Sequence, residues 1–148
     1  MCIRDSINGE MSDANIDITV IPTPDAVDDT YSGNEDTPVP LDPLANDDLG
    51  AGAASVEILN VPDPTTEGQL TYVDDLTGST LPITAGTVLS PTEAASMNFV
   101  PVENFNGPVP TIGYEVTDTN GSTSEAVIDI TIIPTPDAMD DPLSLIHI

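Results

Sequence analysis

The chain contains no lysine and no tryptophan, and it has one cysteine, one arginine and one histidine among 148 residues. A lone Cys2 closes no intramolecular disulfide and builds no thiolate metal site. With one cation, Arg4, against 26 acidic residues, the formal net charge is −25. Phosphate binding depends on Lys and Arg that displace counter-ions, so nucleic acid is excluded as a partner. Anionic membrane surfaces are excluded on the same ground, and no apolar run approaches the roughly 18 residues of a spanning helix, so no membrane insertion is expected. No secretory signal is legible either. Catalysis lacks its usual side chains, since the body of the chain offers no His or Lys base and no Cys nucleophile. Paired carboxylates remain, but none is set in apolar sequence that would raise its pKa, so no enzyme is expected. Aromatic residues are scarce: Tyr31, Tyr72, Tyr114, Phe99 and Phe105. They read as core or corner residues, which leaves too few for a sugar-stacking platform.

Cys2, Arg4 and His147 all fall in the terminal hexapeptides MCIRDS (1–6) and LSLIHI (143–148). Both resemble translated sequencing-adapter read-through and are set aside from fold reasoning. The remaining segment, 7–142, keeps the net charge of −25 and has no cation at all. It can form no internal salt bridge, and its self-repulsion opposes compaction unless counter-ions are supplied from outside.

What is present is alternation. In IDITI, Ile128, Ile130 and Ile132 face one way and Asp129 and Thr131 the other, the period of a half-buried strand. The same period pairs Ile112, Tyr114 and Val116; Met97 and Phe99; Leu70 and Tyr72; Val56 and Ile58. Turn clusters separate these runs at Gly33-Asn34, Asn46-Asp47-Asp48 and Asn120-Gly121. Short strands at that spacing predict an all-β sandwich rather than a disordered chain. Seven antiparallel strands are expected, at about 27–31, 39–44, 56–61, 70–73, 97–100, 112–117 and 126–133. One helical turn is expected in SPTEAAS, where Ser90 caps, Pro91 suits the first position and Glu93 completes a capping box.

The phrase IDITVIPTPDAVDD (16–29) returns as IDITIIPTPDAMDD (128–141), 112 residues later. A unit bounded by the same words is the mark of a tandem array. The domain reading is therefore a last strand of a preceding repeat at 7–21, a proline-stiffened linker at 22–26, one complete repeat at 27–133, and a second linker at 134–142.

AVDDTYSGNEDTPV, PLANDD, NFVPVENFNG and GYEVTDTNGSTSEAVIDITI occur in that order across 26–133. Together they resemble the cadherin-like, immunoglobulin-like tandem repeats of large secreted bacterial surface proteins, including RTX-type adhesins. The stretch 49–75 departs from that pattern, with LGAGAASVEILN where an Asp-rich segment is usual. The resemblance implies a Greek-key sandwich, a secreted or cell-surface location, calcium dependence and a role as an extender or adhesion module.

With seven strands alternating in direction, chain arrival and chain exit lie at opposite poles, and oxygen-bearing side chains collect at each. The leading pole gathers Asp25, Asp28, Asp29, the turn Asn46-Asp47-Asp48, and Asp118 with Asn120. The trailing pole gathers Glu35, Asp36, Glu103, Asn104, Asn106 and the downstream Asp137, Asp140 and Asp141. Calcium takes six to eight oxygens from carboxylates, amides and carbonyls. The candidate ligands are Asp28, Asp29, Glu35, Asp36, Asn46, Asp47, Asp48 and Asp118. Against each stands a plainer reading: an Asx turn at 46–48, solvated acids at 35–36, and hairpin turn chemistry at 118–121. Asn104 and Asn106 read first as loop-shaping residues. Two function classes follow. One is a calcium-stiffened extender whose partners are adjacent repeats. The other is a module that binds a cell-surface glycan or protein, for which the polar stretch 63–85 is the one candidate loop.

Overall fold

The computed structural model describes residues 12–136. Both terminal hexapeptides, together with Asp137, Asp140 and Asp141, lie outside the described residues.

Among the described residues ten strands and one helical turn form in the order β1 (Asp29–Asn34), β2 (Val39–Pro40), β3 (Ala53–Ile58), β4 (Gly68–Val73), β5 (Thr80–Pro82), β6 (Thr87–Leu89), α1 (Pro91–Ala94), β7 (Asn98–Pro101), β8 (Gly107–Pro108), β9 (Ile112–Asp118) and β10 (Thr123–Ile133). They make two sheets. One runs β1-β10-β9-β3-β6 with β8 also paired to β10, and the other runs β2-β7-β4-β5. This is the expected all-β sandwich.

The alternation read from the sequence is what fills the space between the sheets. Along β10 the buried positions are Ala126, Ile128, Ile130 and Ile132, and along β9 they are Ile112, Tyr114, Val116 and Asp118. Phe99, Leu70 and Val39 meet them from the other sheet. Each fully buried aliphatic side chain contributes about 1.5–3 kcal/mol by leaving water, which is how the described residues, with no cation among them, cohere. Asp118 is the exception on that face, a carboxylate at an inward position.

Three expectations are corrected in detail. The first and last strands pair in parallel, Asp29 opposite Ile128 through Asn34 opposite Ile133, not antiparallel. Both run away from the leading end, and β10 has an edge to spare because β9 covers only its other side, 123–128. The strand expected over 39–44 ends at Pro40, because Pro43 has no N–H for a ladder and the chain turns from Asp42 to Ala45. The short strands β5, β6 and β8 are additional to the seven expected, because each carries too few residues to show a period. α1 is the single turn expected: Ser90 Oγ accepts from Glu93 N at 3.1 Å and Glu93 Oε2 from Ser90 N at 2.8 Å.

Candidate functional site

At the leading end the chain is seated residue by residue before β1 begins. Asp25 and Asp48 exchange both backbone hydrogen bonds, at 2.8 and 3.0 Å. The Val27 N–H donates to Asp47 Oδ1 at 2.8 Å. Asp28 Oδ1 accepts from Val127 N at 3.1 Å, while its carbonyl accepts from Asn46 Nδ2 at 3.3 Å. Asp48 Oδ1 accepts from Gly50 N at 3.0 Å.

Beneath these residues lies the Tyr114 hydroxyl, fully buried. Five oxygens crowd it: the carbonyls of Val27 and Pro43 and Asp29 Oδ2, each at 3.1 Å, and both oxygens of Asp47 at 3.2 Å. A phenol has one proton to donate, so it cannot satisfy five acceptors. Asp29 is only 6 % exposed, and burial, reinforced by the charge of Asp47, pushes its carboxyl up to about 6. When Asp29 takes up a proton it can donate to the phenol oxygen while the phenol donates onward, which relieves the crowd. Burial also raises Asp47 above the usual carboxylate range and the Tyr114 phenol above the usual tyrosine range.

Asp118, 1 % exposed, closes the turn into β10. Its Oδ1 accepts from the N–H groups of Asn120 and Ser122, both at 2.8 Å. Its Oδ2 is buried with no partner. Leaving such an oxygen dry costs about 1–3 kcal/mol or more, which makes it the most conspicuous unsatisfied atom among the described residues.

At the trailing end Glu35, 9 % exposed, reaches across to the departing chain. Thr135 donates its N–H and its hydroxyl to Glu35 Oε1, at 2.9 and 3.1 Å. Asn106 Nδ2 holds Oε2 at 3.1 Å. The Thr135 N–H, followed by the Asn106 amide, lowers the Glu35 pKa. Asp36 Oδ1 accepts from Asn104 N at 2.8 Å, and these two are the non-glycine residues with positive φ among the described residues, 59° and 61°.

The structure therefore brings Asp29 and Asp47 together around Tyr114, and seats Asp28, Asn46 and Asp48 on the arriving chain. Glu35 holds the departing chain and Asp36 the neighbouring loop. Among the described residues no group of three or more acidic, His or Cys side chains converges to hold a metal. Sequence reasoning missed Tyr114 as the hub, Thr135 as the partner of Glu35, and Gly50. Only the reading of Tyr114 as a core or corner residue offered a signal. The stretch 63–85 borders a shallow cleft of about 200 Å³ between Val61, Pro62, Leu70 and Ile83. That is below the roughly 300–1,000 Å³ of typical ligand pockets.

Among the described residues no helix is long and apolar enough to cross a membrane. A family model described as a bacterial Ig domain matches residues 22–131. No curated protein and no solved structure gives a match. Domains of that family are a non-catalytic module type and typically occur in extracellular or surface proteins. The match takes in most of the chain and both sheets of the sandwich, and the chain belongs to the bacterial Ig domain family.

Proposed function

We propose that this chain is an extender and adhesion module of a large repetitive extracellular bacterial protein, stiffened by calcium. One observation carries the reading. The chain arrives beside one end of β10, where Ala26 N donates to Ser124 Oγ, and departs at the other, where Thr135 meets Glu35. The 11 residues of β10 span roughly 36 Å at about 3.3 Å each. A module crossed end to end, with the same words before and after it, adds length to an array.

Support for calcium lies in the chemistry of the donors. They are hard oxygens, as calcium prefers. The buried Asp118 Oδ2 lacks a partner, and Asp29 and Asp47 share one phenol proton with two carbonyls. Asp29 and Asp47, with the Val27 and Pro43 carbonyls, would take a cation at the leading end, and Asp118 is a second position there. Glu35 and Asp36 would serve at the trailing end. Because among the described residues carboxylates come at most in pairs, water or an adjoining module must complete the shell.

Calorimetric titration of calcium tests this, with Asp47→Ala and Glu35→Ala alongside. Binding at about 10⁻⁴ to 10⁻³ M is expected, weakened in both variants, with magnesium a poor substitute. Absence of binding heat, together with equal stabilisation by sodium at matched ionic strength, would remove calcium from the reading.

A further inference from the structure

The internal repeat reaches beyond the phrase that first marks it. With 8–24 set against 120–136, Asn8-Gly9 matches Asn120-Gly121, Ser12-Asp13-Ala14 matches Ser124-Glu125-Ala126, and 16–24 matches 128–136 except at Val20 and Ile132. Asn120-Gly121 is the turn into β10, and Ser124 to Ala126 lie within that strand. Residues 12–21 thus spell the last strand of another module, and Pro22-Thr23-Pro24-Asp25 is the same linker as Pro134-Thr135-Pro136-Asp137. One molecule therefore displays how a module receives its linker and how a module releases it.

On arrival the linker is held from its second proline onward. Pro24 is buried, Asp25 is bridged to Asp48 by two backbone hydrogen bonds, and Ala26 N donates to Ser124 Oγ at 3.0 Å. Gly50, at φ +56°, lies so close beneath that a Cβ there would stand 2.6 Å from the Thr23 carbonyl carbon and 2.7 Å from Pro24 N. On departure the linker is held through its threonine. Glu35 N donates to the Ile133 carbonyl at 3.0 Å, and both donors of Thr135 close on Glu35 Oε1.

Placed on one linker, the two grips meet without a gap. The threonine belongs to the module behind, and the proline and aspartate that follow belong to the module ahead. Proline on either side of that threonine fixes φ at about −65°, which removes further freedom.

We propose that successive modules are joined by a slack-free clamp, in which Glu35 of one module holds the linker threonine while Gly50 and Asp48 of the next seat the proline and aspartate after it. The partner is a second copy of this module, and the contacts of the clamp are made by protein groups alone. This rests on the chain being one unit of an array, but not on calcium.

The test inserts a second copy of residues 25–136 after Pro136, which leaves every linker residue in place. With Cys2→Ser, and Val88→Cys in both copies as exposed spin-label positions, pulsed EPR reads the distance between modules in EDTA. A single narrow distribution is expected. Glu35→Ala in the first copy should broaden it about two-fold or more, as for a flexible joint. Glu35→Ala in the second copy weakens a module equally but has no junction beyond it, and should leave the distribution unchanged. Thr135→Val in the first copy removes only the hydroxyl and should broaden it less. Should Glu35→Ala unfold its module, Glu35→Gln takes its place. A broad distribution in the unaltered two-module protein, or equal broadening by both Glu35 variants, overturns the clamp. Narrowing only when calcium is added overturns the clamp and leaves the calcium reading standing. A narrow distribution in EDTA that calcium leaves unchanged supports the clamp and removes calcium from the joint.

Discussion

Residues 16–21 and 128–133 differ only in Val20 against Ile132, yet they meet different fates. The second run is the outer half of β10, with Ile128, Ile130 and Ile132 buried. The first forms no strand, and Ile16, Ile18 and Val20 stand 76, 83 and 85 % exposed. Propensity and alternation are the same in both. What differs is the neighbours: β10 has β1 on one edge and β9 and β8 on the other, whereas the first run has no strand partner among the described residues. A strand is stable only when its backbone groups and its apolar face are both taken up by others.

The sharpest way to break this comparison is to make the same cut twice. Ile130→Ala should cost about 2–5 kcal/mol, the usual range for a buried aliphatic truncation. Ile18→Ala, the same position in the first copy, should change stability by less than about 0.5 kcal/mol. Urea denaturation of the two variants measures both, and a comparable loss at Ile18 would mean that the first copy is packed after all.

Next in size is the proton on Asp29, whose carboxyl meets Tyr114 where the arriving chain enters β1. Its folded carboxyl titrates at about 6 against 3.8 for a free aspartate. A raised carboxyl favours the protonated fold, so its contribution is present in full below about pH 3.8 and is lost as the pH rises through about 6, on the order of 3 kcal/mol. Asp29→Asn should flatten that part of a stability profile measured without calcium. Glu35 has the opposite sign, because its pKa is lowered. Its contribution is present above the ordinary carboxylate range and is lost as the pH falls through its folded value, and Glu35→Gln should remove that acid-side loss.

A smaller effect distinguishes the linker contact from backbone strain. Gly50→Ala should cost about 1–3 kcal/mol, since a left-handed φ and the linker backbone both oppose a side chain. Gly78, at φ +68° with nothing within 4 Å, should lose only the backbone share, about 1–2 kcal/mol. Thermal melts of the two alanine variants give the difference. The smallest prediction makes the two copies identical. Ile132→Val should cost about 0.5–1.5 kcal/mol, while Val20→Ile should leave the melting temperature unchanged.

Much of the sandwich was legible because period and punctuation are local. Ile128, Ile130 and Ile132 alternate within one strand, Asn120-Gly121 marks its turn, and Ser90 with Glu93 announces α1 three residues apart. β5, β6 and β8 were not, since two or three residues show no period and exist only through the strands beside them. The candidate site was half legible. Acids at two poles followed from counting strands. Which acids meet did not, for Asp29 finds Tyr114 across 85 positions and Glu35 finds Thr135 across 100.

The sequence by itself determined the charge, the lack of any internal cation, the β period and the repeated linker, because each is a property of residue type and spacing. Only the tertiary structure decided which copy of IDIT becomes a strand, that Asp29 is buried beside Asp47 and titrates high, and that Glu35 holds a threonine and titrates low. Two identical runs can differ, and two carboxylates can shift in opposite directions, because packing and desolvation are set by residues distant in the chain and brought close only by the fold.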